Sequence, residues 1–119
     1  MREIKFRAWD GEKMVCPDYI DRKGMGWWRE NCIPEYSELT MQYVGLKDKN
    51  GIDIYEGDIV NQEIWISVGK YERAIGVVKY RIVGFTCECV GDYIGSNAKV
   101  NSNAIVIGNI YENPELLKQ

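Results

Sequence analysis

Apolar and polar residues alternate in short runs along this sequence, and each run soon meets glycine, asparagine or aspartate. A period of two puts every second side chain on one face of an extended strand, whereas an amphipathic helix needs a period of about 3.6. Ile4, Phe6 and Ala8 alternate in this way with Lys5, Arg7 and Trp9. Asp10-Gly11 follows, a pair that tolerates the positive φ angles of a tight turn, so the chain is expected to return as a hairpin with Met14 and Val15 opening its second strand. In residues 41–60, MQYVGLKDKNGIDIYEGDIV, two runs flank a polar tip that ends in Asn50-Gly51. That is the strongest hairpin signal in the chain.

The pattern continues through residues 59–68, rich in β-branched side chains, and through a longer strand over 74–83 in which Gly76, with Gly84 beyond it, is expected to mark a bend. Residues 85–90 and 104–111 supply two more strands around a Gly-, Ser- and Asn-rich loop. Asn113, Pro114 and Glu115 suit the cap, first position and first turn of one short C-terminal helix. The expectation is therefore a mainly β fold, a small barrel or sandwich of about seven to eight short antiparallel strands, with an SH3-like barrel in the C-terminal half. At 119 residues the chain is read as one unit, 1–119, in which an N-terminal β-hairpin lobe (1–40) packs on a barrel-like part (41–119). Residues 16–34, CPDYIDRKGMGWWRENCIP, hold no period and are read as an irregular excursion.

Several chemistries are excluded at once. With no histidine, neither a Ser-His-Asp nor a Cys-His pair can form. No phosphate-binding glycine loop, nucleophile elbow or HExxH helix is present either. Eighteen acidic against fifteen basic residues leave a net charge of −3, which opposes the phosphate attraction behind most nucleic-acid affinity. Charges at Lys5, Arg7 and Asp10 interrupt any secretory apolar run, and no span approaches the length of a membrane helix, so a cytoplasmic protein with no membrane contact is expected. Cys16, Cys32, Cys87 and Cys89 are then reduced thiols; only Cys87 and Cys89 are close, in a CxC lacking the paired spacing of structural zinc, so they are read as small core residues and no metal or cofactor is assigned.

Asp48, Asp53, Glu56 and Asp58 crowd the central hairpin, but aspartate favours turns for local hydrogen-bonding reasons, so no catalytic residue is assigned. Trp27 and Trp28 are the candidate partner-binding surface; the plainer reading is that one or the other folds back as a lid on the core. The alternative, single-stranded nucleic-acid binding on a barrel face, would use Trp65, Tyr71 and Tyr80 for base stacking.

Three stretches carry a further signal. MREIKFRAWD at the start, residues 41–60 in the middle and IGNIYENPELL at the end together resemble the characteristic blocks of the YopX family of phage and prophage proteins, in that order. The resemblance implies β-rich structure, origin in a bacteriophage or prophage and action inside the bacterial cell, and it brings no catalytic residues to transfer. The expected function is a non-enzymatic accessory protein that binds a host or phage protein, with self-association as a further expectation. Partner choice is expected in the stretches outside the three blocks.

Overall fold

The computed structural model describes residues 4–81, 84–91 and 97–117. Ile82 and Val83 of the predicted long strand, much of the predicted glycine-rich loop, and the first three residues of the opening block lie outside them. The chain divides into two units, Met1–Tyr43 and Val44–Gln119.

In the first unit, β1 (Phe6–Trp9) pairs antiparallel with β2 (Met14–Val15), Trp9 opposite Met14, and with the start of β6 (Thr40–Lys47), Arg7 opposite Met41. Asp10 makes the expected hairpin turn: its Oδ1 accepts the N–H groups of Glu12 at 2.7 Å and Lys13 at 2.8 Å. The mainly β expectation holds, but residues 16–34 are not irregular. They form β3 (Tyr19–Ile20), β4 (Gly26–Glu30) and the lead into β5 (Ile33–Ser37), a three-stranded antiparallel sheet in the order β3-β4-β5. The alternation is hidden because both faces carry large aromatics: Trp28 is buried while Trp27, beside it, points to the other face.

Two turns hold this sheet. Asp21 Oδ1 accepts the N–H groups of Lys23 and Met25 at 2.8 and 3.0 Å. Between β4 and β5, Asn31 and Cys32 take φ of 53° and 66°, the left-handed pair that matches the twist of a hairpin. Gly26 is constrained by space, since a Cβ there would lie 3.1 Å from Pro17 and 3.2 Å from the Thr40 methyl. Ser37 donates from Oγ to the Trp9 carbonyl at 2.6 Å, and Thr40 donates from Oγ1 to the Gly24 carbonyl at 2.9 Å.

In the second unit, the end of β6 leads to β7 (Asp53–Tyr55), and a five-stranded antiparallel sheet follows, made of β8 (Asp58–Ser67), β9 (Lys70–Arg81), β10 (Gly84–Cys89), β11 (Asn97–Lys99) and β12 (Ile105–Asn109) in the order β11-β10-β9-β8-β12. Its inner face buries Val60, Ile64, Ala74, Val78, Cys87 and Cys89 with Ile54 and Ala104. Gly76 is required by contact: a Cβ would stand 2.5 Å from Cys87 Sγ and 2.6 Å from the Glu88 carbonyl oxygen. The predicted C-terminal helix is one 3-10 turn, Pro114–Leu117, closed by the Leu116 N–H on the Asn113 carbonyl at 3.1 Å.

Buried polar groups lock the second unit. Gln62, with no exposed surface, donates from Nε2 to the Lys99 carbonyl at 2.7 Å and accepts the Asn101 N–H at 3.3 Å. Asp48 is buried at the hairpin tip, where Oδ1 accepts the N–H groups of Asn50 and Ile52 and Oδ2 accepts that of Val106 at 2.9 Å. Burial pushes its carboxyl up, yet the bonds from Val106, Ile52 and Asn50 outweigh it and hold the pKa below the usual carboxylate value.

Candidate functional site

Strand register builds a row of rings. Trp27 on β4 stands directly opposite Tyr19 on β3 and Tyr36 on β5, so all three side chains project from one face of the three-stranded sheet. The Tyr19 and Trp27 rings are nearly parallel, 7° apart in plane with centroids 6.4 Å apart, and the Trp27 and Tyr36 rings are 5.0 Å apart at 33°. Tyr19 and Tyr36 are each more than half exposed, at 59% and 58%. Asp21 fixes the central ring, its Oδ2 accepting the Trp27 indole N–H at 2.9 Å. That bond, with the Met25 and Lys23 N–H groups, holds the Asp21 carboxyl below its usual pKa.

Beside the row lies a cavity of about 310 Å³ lined by Asp18, Tyr19, Trp27, Trp28, Arg29 and Pro34. Arg29 and its cross-strand partner Pro34 are two residues along from Trp27 and Tyr36 and share their face. Trp28 also lines the cavity, and its buried indole N–H has no acceptor among the described residues.

Of the expected surface pair, then, Trp27 contributes a ring to the exposed row and Trp28 is buried at 9% exposure. Tyr19, Tyr36, Asp21 and Arg29 were not foreseen. Their signal lay in turns, since Asp21 followed by Gly24 and the pair Asn31-Cys32 are the corners that bring these residues into register with Trp27.

The nucleic-acid set is divided. Trp65 and Tyr71 are cross-strand partners on β8 and β9, both exposed. Tyr80, an odd number of residues along β9 from Tyr71, points to the opposite face, where it packs edge-on against Phe85 at 5.0 Å. Cys87 and Cys89 line the core of the second unit, and burial, with the neighbouring Cys89, pushes the Cys87 thiol up to about 12. Cys16 and Cys32 are exposed. No group of three or more metal-binding side chains occurs among the described residues. No helix among them is long and apolar enough to cross a membrane.

The sequence pattern of the YopX family, described as YopX protein, matches residues 5–118. The chain belongs to the YopX family. Among solved structures, it is similar to protein EF1440 from Enterococcus faecalis, known from its crystal structure, with 27% identity and a TM-score of 0.60 over 99% of this chain and 100% of that one. Comparison with curated proteins finds no match. Within this YopX-family chain, the blocks that carry the resemblance do structural work. Asp58 and Ile59 of the middle block pair with Asn109 and Gly108 of the last, and the Gly57 carbonyl accepts the Ile110 N–H at 3.0 Å. Asn109 Oδ1 accepts the N–H groups of Tyr111 at 3.0 Å and Glu112 at 2.9 Å, and a Cβ on Gly108 would meet Asn113 Oδ1 at 2.5 Å. The ring row lies outside all three blocks.

Proposed function

We propose that this YopX-family protein is a non-enzymatic binding module that captures a protein partner on the β3-β4-β5 face, as a phage- or prophage-encoded accessory factor inside the bacterial cell. One observation carries the reading: three aromatic rings in a single cross-strand row, the outer two largely exposed, beside a cavity with an arginine in its wall. Tyrosine, tryptophan and arginine are the residues that most often anchor protein interfaces, the aromatic two because they offer large rigid contact area at low entropic cost. The resemblance of the three blocks to phage proteins supports the origin and the setting.

Two further facts favour binding over chemistry. Histidine is absent, and the Asp48 carboxylate in the central hairpin is occupied on both oxygens by backbone N–H groups. The acidic balance of the chain weighs against nucleic acid.

The test is capture from bacterial lysate by tagged wild type, Trp27→Ala and Trp65→Ala. The reading expects a protein retained by wild type and Trp65→Ala and lost with Trp27→Ala. Equal capture by all three, or by none, overturns it.

A further inference from the structure

The five-stranded sheet of the second unit ends on β12, whose first three residues, Ile105, Val106 and Ile107, are all β-branched and apolar. A strand of that kind at a sheet edge is a template for another strand, and proteins commonly blunt it with a charge or a proline. Neither device is used here, since residues 100–111 contain no charged side chain and no proline. A bulge between Val106 and Gly108 is one safeguard.

The others are hydrogen bonds on the side of β12 turned away from β8. In a strand paired along one side, the N–H and C=O groups of alternate residues face the open edge. The Lys49 N–H donates to the Ala104 carbonyl at 2.9 Å, and Asp48 Oδ2 accepts the Val106 N–H at 2.9 Å. Ala104 and Val106 are two residues apart, so the tip of one hairpin takes both groups that a further strand would need there. Beyond the bulge, Asn113 treats Asn109 in the same way: its N–H donates to the Asn109 carbonyl at 2.9 Å, and its Oδ1 accepts the Asn109 N–H at 3.2 Å. Gly108 leaves the room for this, because a Cβ there would stand 2.5 Å from Asn113 Oδ1.

Asp48 is well held for the task. Its side chain is buried and its Oδ1 is fixed by the Asn50 and Ile52 N–H groups, so a strand adding to β12 would have to displace a bonded carboxylate.

We propose that the Asp48-Lys49 tip and Asn113 are guards that keep a second copy of this chain from pairing its β12 with this one. A second copy is the partner excluded because the uncharged run matches itself: two β12 strands paired antiparallel about a two-fold axis would set apolar side chains against their own kind, with no like charges opposed. The proposal is independent of the ring row and of any partner captured there.

The test is the mass of the full chain in solution, by light scattering at low and high protein concentration, for wild type, Asp48→Asn and Asp53→Asn. Asp48→Asn keeps an acceptor for Asn50 and Ile52 but turns a donor toward Val106, so it opens the edge with the tip in place. Asp53→Asn removes a charge from the same hairpin, the partner of Lys47 at 2.7 Å. At high concentration Asp48→Asn is expected to reach about twice the wild-type mass or more and to lose the excess on dilution, while Asp53→Asn matches wild type. Adding Ile107→Lys, a charge at an exposed position on β12, should abolish the excess. Equal masses for Asp48→Asn and wild type, the same excess with Asp53→Asn, or an excess that survives Ile107→Lys overturns the proposal. Hydrogen exchange on wild type tests it without any variant: the Val106 and Asn109 amides should exchange at least about tenfold more slowly than unprotected amides, and free exchange at both overturns it as well.

Discussion

The three-stranded sheet of the first unit and the five-stranded sheet of the second spend the same residue types in opposite ways. On β3-β4-β5, Tyr19, Trp27 and Tyr36 stand on an open face, where the Asp21 carboxylate orients the central ring. In the second unit, Gln62 and Asp48 are buried and bonded at both ends, tying distant segments of chain to one another. One sheet leaves its rings open on a face, the other ties its segments together through buried polar groups. The middle and last of the blocks that carry the family resemblance belong to the second kind, while the family match itself spans residues 5–118 and so takes in both sheets.

The contrast is broken most directly by thiol labelling. Cys16 and Cys32 of the first unit are expected to react with a maleimide at neutral pH in the folded protein, and Cys87 and Cys89 of the second only after denaturation, because burial keeps them protonated and covered. Mass spectrometry showing Cys87 or Cys89 labelled in native protein would contradict the division.

Next in size is the split within the tryptophan pair. Trp28→Ala should cost about 3 kcal/mol in urea unfolding, as for other buried aromatics, and Trp27→Ala less than about 1 kcal/mol while removing partner capture. Equal destabilisation by the two would mean that Trp27 is a core residue too.

Gly76→Ala follows, at about 2 kcal/mol lost from overpacking. Adding Cys87→Ala should restore only part of that, because the Glu88 carbonyl would still be 2.6 Å from the new Cβ. Full restoration would show the sulfur to be the sole obstacle.

The smallest effect concerns Asp48. Its folded pKa lies below that of the unfolded chain, so its contribution is full above about pH 4 and declines as pH falls through the folded value, where the unfolded state binds the proton more readily. Asp48→Asn should cost about 1 kcal/mol at neutral pH, since a neutral amide can still accept from Asn50 and Ile52 while its NH₂ faces the Val106 N–H. Denaturation at pH 7 and pH 3 checks this, and the gap between wild type and variant should narrow at the lower pH.

Much of the second unit was legible beforehand. The Asn50-Gly51 tip, the returning run from Ile52 and the strand around Val78 follow from period-two alternation and turn chemistry, and Asp48 is a turn residue, as aspartate beside such a tip implies. The hairpin from Trp9 to Met14 was equally plain. The three-stranded sheet was not, because adjacent large aromatics at Trp27 and Trp28 erase the alternation a half-buried strand displays, and Asn31-Cys32 is an unusual hairpin corner. The terminal helix was overestimated: cap chemistry at Asn113 was present but closed a single 3-10 turn.

By itself the sequence determined the β-rich class, the lack of histidine among its residues and membership in a family, since each depends on local pattern or composition. Which tryptophan is buried, and that Tyr19, Trp27 and Tyr36 form one row, only the tertiary structure decided. The reason is physical: cross-strand neighbours are set by register across two turns, and a one-residue slip would send every ring to the other face.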